Sequence, residues 1–157
     1  MTKLKQLEET VILYGKDVIS SDNMEIQKKA IQHGKVSIYE HSLGVACLSI
    51  YLASWFGIEV DKKSLVRGAL LHDYFLYDWH HHDKNNRLHG FRHAKRALNN
   101  ASLEFFLNPV ERDIIERHMF PLNIKPPKYR ESIIVCIADK ICTVMEVVGH
   151  IKYLLLG

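Results

Sequence analysis

The chain has 157 residues, 47% of them hydrophobic, and a formal net charge of +3. This length suits one globular domain with its own core. The weak charge, without a Lys/Arg block, excludes polymeric nucleic acid as the expected partner. No apolar run reaches the roughly 18 residues of a transmembrane helix, so we expect no membrane association. A charged N-terminus and three cysteines without a CxxC pair predict a cytoplasmic protein.

Apolar periodicity predicts an all-α chain without strands. The first two helices are expected at about residues 3–19 and 23–32, and the third at about 37–55. His41 lies on the core-facing stripe of this third helix. Taken alone, His41 is better interpreted as a core histidine bonded to a backbone carbonyl than as a ligand.

The pair His72-Asp73 ends an apolar run in the fourth predicted helix, about residues 61–75, which Asp61 can cap. Burying a charge is costly unless the charge is paired or bound to a metal. A histidine and an aspartate at the edge of a core therefore need a partner, and a divalent cation suits both.

Histidines crowd the stretch that follows. Residues 77–88 are polar and contain His80-His81-His82, which we interpret as part of a solvated loop. A helix is expected at about residues 91–101. Because Gly90 disfavours an earlier start, we expect His93 in the first turn of this helix.

Two further helices complete the predicted fold. Asn108 begins the first as its N-cap, and His118 falls at its end. The second runs from about residue 129 to 155, with Asp139 in its middle, where an N-cap role is excluded. A salt bridge to an arginine is the structural alternative for Asp139, and metal ligation is the functional one. An apolar stripe follows one face of this last helix: Ile133, Ile134, Ile137, Ile141, Val144 and Val148.

The predicted architecture is a single all-α domain over residues 1–157, a compact bundle of about six or seven helices. Its core spans residues 35–148, and the N-terminal helices of residues 3–32 pack on it. Five segments place an imidazole or a carboxylate on or near an apolar face. One metal site would satisfy them together, and such ligands suit Mn, Fe, Zn or Ni. The six candidate ligands are His41, His72, Asp73, His93, His118 and Asp139.

The order H…HD…H…H…D resembles the HD-domain phosphohydrolase superfamily, which is all-helical and metal-dependent. Leu70-Leu71-His72-Asp73 resembles its namesake motif, and Ile137-Ala138-Asp139-Lys140 resembles its final aspartate segment. His41 resembles the opening histidine. His93 and His118 resemble the two further histidines of the binuclear members.

The resemblance implies one or two divalent transition metals, with Fe or Mn favoured over Ni, Zn, Co and Mg. It implies that Asp73 bridges the two ions and is catalytic. His93 and His118 would help to hold the second metal. The ligands implied for the first metal are His41, His72, Asp73 and Asp139.

Lysine and arginine side chains near the metals would stabilise the negative charge on a phosphoryl group. Arg92 has the strongest case and is predicted to be catalytic, because it adjoins His93. A solvated surface position is the structural alternative for every such residue. The candidates for phosphate binding are Lys84, Arg87, Arg92, Lys95 and Lys140.

Departures from the family pattern narrow the subgroup. After His72-Asp73 the chain reads Tyr74-Phe75-Leu76-Tyr77. It therefore lacks the small residue, Gly and Lys that follow HD in many members, and the Glu-Asp pair of the mononuclear nucleotide hydrolases. The Gly-Tyr-Pro signature of cyclic-dinucleotide phosphodiesterases is missing as well. The pattern favours the binuclear subgroup and is similar to small stand-alone bacterial members, dinucleoside-polyphosphate hydrolases among them.

The leading hypothesis is a phosphohydrolase that uses metal-activated water. It would cleave a phosphate monoester, diester or anhydride of a small molecule, and a nucleotide is the favoured substrate. One alternative is a di-iron oxygenase on the same scaffold, and another is a non-catalytic sensor of metal or nucleotide. The intact ligand set favours an enzyme, since a sensor need not keep an open binuclear site. The sequence leaves the oligomeric state open, a homo-oligomer included.

Overall fold

The structure, a computed structural model, describes residues 2–75 and 86–149, with the backbone alone described for 86–91. Within these ranges the chain forms seven α-helices and one two-stranded antiparallel hairpin. The elements are, in chain order, α1 (Lys3–Ile19), α2 (Met24–Lys29), β1 (Ile31–His33), β2 (Val36–Ser37), α3 (Ile38–Trp55), α4 (Lys62–Leu71), α5 (Asn86–Glu104), α6 (Pro109–Arg117) and α7 (Arg130–Val147). The predicted all-α fold is confirmed.

Side-chain caps fix where three of the central helices begin. Ser37 and Asn108 each form a capping box, with Glu40 in α3 and Glu111 in α6. Asp61 accepts hydrogen bonds from two backbone amides in the first turn of α4. Such caps satisfy amides that would otherwise lack a partner at a helix start. They set the register of helices that carry or immediately precede predicted ligands.

The predicted second helix ends too late. Helix α2 stops at Lys29, and residues 31–33 and 36–37 pair as a short hairpin, although the sequence predicted no strand. Gly34 occupies the turn with a φ of 57°, a conformation that favours glycine. The hairpin then leads directly into α3.

Three other boundaries differ from the predictions. Helix α4 stops at Leu71, so His72-Asp73 lies in a turn after it. Helix α5 begins at Asn86, so the predicted delay at Gly90 is wrong; one glycine costs only about 1 kcal/mol inside a helix. Helix α7 stops at Val147, earlier than predicted, where Gly149 adopts a positive φ of 79°. Of the predicted loop, residues 77–88, positions 77–85 lie outside the described ranges, and positions 86–88 are helical because α5 begins earlier than predicted.

One hydrophobic core joins the described helices, and α3, α4 and α7 supply most of it. Helix α4 lies between α3 and α6. Gly68 permits the close approach of α4 to α6, because a Cβ atom there would overlap the side chain of Ile114. The C-terminal ends of the two helices therefore meet, and His72 and His118, the residues that follow these ends, place their ring centroids 4.8 Å apart.

Helix α7 turns its polar carboxylate inward and part of its apolar stripe outward. Ile133, Ile137 and Val144 are 48%, 49% and 63% exposed, whereas Ile134 and Asp139 are buried. Burial of this helix follows its contacts with α3 and α6, not its apolar periodicity. Among the helices of residues 2–75 and 86–149, none combines the length and apolar composition that crossing a membrane requires.

Candidate metal centre

The six predicted ligands meet in the middle of the bundle. They come from the first turn of α3, the turn after α4, the body of α5, the end of α6 and the middle of α7. All six are at most 9% exposed. Buried imidazoles and carboxylates require partners, and these six are arranged in two groups that share Asp73.

The first group, which we call pocket A, consists of His41, His72, Asp139 and the Oδ2 atom of Asp73. The Nε2 atom of His41 lies 3.0 Å from Oδ1 of Asp139 and 3.7 Å from Oδ2 of Asp73. The Nε2 atom of His72 lies 3.4 Å and 3.3 Å from the same two oxygens. Ligand atoms bound about 2 Å from one cation lie at comparable mutual separations.

The second group, pocket B, consists of His93, His118 and the Oδ1 atom of Asp73. The Nε2 atom of His93 lies 2.6 Å from Oδ1, and the Nε2 atom of His118 lies 3.3 Å from it. The two oxygens of Asp73 thus face different pockets. This is the arrangement that a carboxylate bridging two cations requires.

Backbone hydrogen bonds orient two of the histidines for metal binding. The Nδ1 atom of His72 donates to the carbonyl of Ala69 at 2.6 Å, and that of His118 donates to the carbonyl of Ile115 at 2.8 Å. Because a carbonyl can only accept, Nδ1 carries a proton, and Nε2 is the nitrogen left to bind a metal. Both Nε2 atoms are buried and make no hydrogen bond within the described part of the chain. Buried nitrogens of this kind, held in place through Nδ1, fit metal ligands.

Glu146 is a residue of the centre that sequence reasoning missed. It is 6% exposed, and the Nδ1 atom of His41 lies 2.8 Å from each of its carboxylate oxygens. A carboxylate behind a ligating histidine fixes the ring and raises its basicity as a ligand. The signal was available, because Glu146 follows Asp139 by seven residues, two helical turns, and so lies on the same face of α7.

Electrostatics in the centre favour ionised carboxylates and a cation between them. Burial opposes the ionised form of Asp73, but His72 and His93 outweigh it and hold the pKa of Asp73 well below its usual range. Burial also opposes the charged form of His41, but hydrogen bonds to Asp139 and Glu146 outweigh it and raise the pKa of His41 to about 9. Without metal, a proton on His41 Nε2 therefore takes the place of a cation.

The predicted phosphate-binding residues do not form a cluster as the six candidate ligands do. Arg92 is exposed on α5, beside His93 in the chain. Lys140 donates to the carbonyl of His118 at 3.0 Å and to Cys136 Sγ at 3.1 Å, so it joins α7 to the end of α6.

Lys95 lines an open cleft of about 520 Å³ between α5, α6 and the connection that follows α6. Lys125 and two asparagines, Asn99 and Asn123, line the same cleft. Lys84 and the side chain of Arg87 lie outside the described part of the chain. The phosphate-binding role of all five candidates stays a prediction.

Comparison with known families adds an independent finding. The family model described as HD domain matches residues 38–143, a range that contains all six clustered side chains. The chain belongs to the HD-domain family. Proteins of this family bind divalent metals and are generally metal-dependent phosphohydrolases. No curated protein and no solved structure matches the chain.

The ligand chemistry of this HD domain fits a divalent transition metal. Pocket A offers two imidazole nitrogens and two carboxylate oxygens, and pocket B offers two imidazoles and one carboxylate oxygen. This mixture suits Fe, Mn, Zn, Co or Ni, and it contains no thiolate that would select softer metals. Glu146 lies just beyond the matched range, which is a reason why the family motif alone does not reveal it.

Proposed function

We propose that this HD-domain protein is a phosphohydrolase that holds two divalent cations and cleaves a small phosphorylated molecule, preferably a nucleotide. The observation that supports this proposal is that the two carboxylate oxygens of Asp73 face different pockets. Oδ2 lies in pocket A, and Oδ1 lies in pocket B. Two cations joined in this way would supply a water of lowered pKa and stabilise charge on the transferred phosphoryl group.

The residues of the chain have separate tasks in this reaction. His41, His72 and Asp139 would hold the ion of pocket A, and His93 and His118 would hold the ion of pocket B. Asp73 would contribute one carboxylate oxygen to each ion. Arg92 is exposed and directly precedes His93 in the sequence. We propose that it binds a non-bridging phosphate oxygen, since guanidinium groups match phosphate geometry.

Pocket B is proposed as the side from which substrate enters. From the side chains that the structure describes, it presents three ligand atoms, whereas pocket A presents four. A site with fewer protein ligands keeps positions for water or a phosphate oxygen. A phosphoryl group bound there would lie within reach of both ions.

The test begins with protein stripped of metal by a chelator and reloaded separately with Mn²⁺, Fe²⁺, Co²⁺, Ni²⁺, Zn²⁺ or Mg²⁺. Metal content per chain is measured by elemental analysis, and phosphate release is measured on nucleoside phosphates, dinucleoside polyphosphates and sugar phosphates. We expect two ions per chain and hydrolysis that requires them.

Arg92→Ala should raise KM by roughly tenfold, the value of one charged contact. Arg112→Ala, an exposed arginine on α6 that donates to Ser102, is the matched control and should leave KM unchanged. A protein that holds two ions and releases no phosphate from any substrate would contradict the proposal. Oxygen uptake by the Fe²⁺ form would then indicate the oxygenase alternative.

A further inference from the structure

Two buried glutamines reach Asp73 from a part of the chain that precedes the matched HD-domain range. The Nε2 atom of Gln32, on β1, donates to Oδ2 of Asp73 at 2.6 Å. The Nε2 atom of Gln27, on α2, donates to the backbone carbonyl of Asp73 at 3.0 Å. Both glutamines are at most 4% exposed. One amide therefore holds the carboxylate and the other holds the backbone of the same residue.

The hairpin holds Gln32 firmly against pocket A. Side chains alternate across a strand, and Gln32 is the inward residue of β1, between the half-buried Ile31 and His33. The amide of Ile38 donates to the carbonyl of Ala30 at 2.9 Å, which closes the hairpin at the start of α3. The ring of His33 lies against His41, with centroids 5.7 Å apart.

The contact restricts the rotation of Asp73. If the carboxylate turned about its Cβ–Cγ bond, Oδ2 would leave the amide and the two oxygens would no longer face separate pockets. A carboxylate oxygen has two lone pairs, so Oδ2 can accept from Gln32 and still bind a cation. The donor is also neutral. A lysine here would neutralise Asp73, and a glutamate would repel it.

We propose that Gln32 is a positioning residue of the metal centre. Its amide holds the Asp73 carboxylate with one oxygen in each pocket, and it thereby strengthens metal binding and sets the coupling between the two ions. The inference rests on metal binding, which is part of the proposed function, but not on the hydrolytic reaction. It concerns a residue that lies outside the matched range of residues 38–143.

The test compares Gln32→Met with Gln27→Met in the full chain. Methionine keeps the length and burial of glutamine but has no N–H donor. Gln27→Met, the matched control, removes a similar buried amide without touching the carboxylate. The dissociation constants of the Mn²⁺ ions are measured by competition with a chelator, and exchange coupling between the two ions is measured by electron paramagnetic resonance. Thermal unfolding of the metal-free proteins reports on the fold.

We expect Gln32→Met to weaken Mn²⁺ binding by roughly 10–100-fold, the usual effect of removing a partner of a metal ligand, and to change the coupling signal. Gln27→Met should leave both within about threefold of wild type while it lowers the unfolding temperature. A second variant, Gln32→Asn, keeps an amide but withdraws it by one methylene. It should reproduce the loss, and it keeps the test decisive if Gln32→Met does not fold.

Three outcomes would overturn the inference. Unchanged binding and coupling in Gln32→Met or Gln32→Asn would show that the amide does not position the carboxylate. An equal loss in Gln27→Met would assign the effect to the packing of the N-terminal segment on the Asp73 backbone, and not to the amide on the carboxylate. Wild-type protein that binds no Mn²⁺ would overturn both this inference and the proposed function. Wild-type protein that binds two ions without turnover would contradict hydrolysis alone.

Discussion

Pockets A and B share one carboxylate but are supported differently. In pocket A, both His41 and His72 are fully buried, and Glu146 backs His41 from the far side. In pocket B, His93 is 8% exposed, and the described side chains supply three ligand atoms in place of four. More ligands and stronger support hold a cation tightly, whereas fewer ligands leave positions for exchange. Under the proposed function, pocket A would retain its metal, and pocket B would bind substrate and water.

The largest expected effect comes from the residue that the pockets share. Asp73→Asn keeps the shape of the side chain but removes its charge and replaces one ligand oxygen with an amide nitrogen. We expect both ions to be lost and phosphate release to fall by roughly 1000-fold or more. Elemental analysis and a phosphate assay measure the two effects.

Asp113→Asn is the matched control for this change. Asp113 is also a buried aspartate, but it pairs with Arg117 and accepts from the backbone amide of Lys128. Its replacement should lower the unfolding temperature and leave the metal content at two ions. If Asp73→Asn kept one tightly bound ion, Asp73 would not be a bridge and the two pockets would be independent.

The next largest effect distinguishes the two pockets by the metal content of variants that lack one ligand. His118→Ala removes a ligand from pocket B only, so we expect one ion per chain to remain and hydrolysis to be lost. His72→Ala removes a ligand from pocket A, the stronger site, and we expect the content to fall below one ion per chain. Elemental analysis after gel filtration measures both. Equal metal contents in the two variants would contradict the difference between the pockets.

The sequence reveals the candidate ligands more readily than the residues that support them. His72-Asp73 could be found because a charged pair at the end of an apolar run needs an explanation. The other candidates are imidazoles or carboxylates on or near apolar helix faces, and their order matches the family motif. Glu146 and Gln32 could not be found in this way. Glutamate near a helix end and glutamine near a turn are ordinary surface residues until tertiary contacts bury them. Their roles depend on distances across the fold.

Helices and strands were likewise predicted well where their signals are local and poorly where they depend on tertiary contacts. Caps at Asp61 and Asn108 predicted the starts of α4 and α6 well, because a cap is a local interaction. The hairpin β1–β2 was missed, since strands of three and two residues carry no periodic signal and depend on docking against α3. The stripe of α7 was seen, but its partial exposure depends on which neighbours the helix contacts.

The smallest expected effect is a pH dependence of the stability of the metal-free protein, and it arises from His41 in pocket A. Burial opposes the charge on His41, but hydrogen bonds to Asp139 and Glu146 prevail and raise its pKa from 6.5 to about 9. Below pH 6.5 the imidazole is protonated in both the folded and the unfolded chain, and its contribution to stability is fully present. Between the two pKa values only the folded protein keeps the proton, so the free energy of unfolding falls as the pH rises. His72, whose pKa is also raised, acts in the same direction.

We therefore expect the free energy of unfolding in urea and a chelator to fall by on the order of 3 kcal/mol between about pH 6 and pH 9. Glu146→Gln removes one of the two carboxylate partners that raise the pKa of His41, so its decline should be smaller over the same range. Wild-type protein loaded with metal should show little decline, because the cation takes the place of the proton on Nε2. An identical pH dependence in wild type and Glu146→Gln would mean that Glu146 does not act through His41. The stronger support of pocket A would then rest on its ligand number alone.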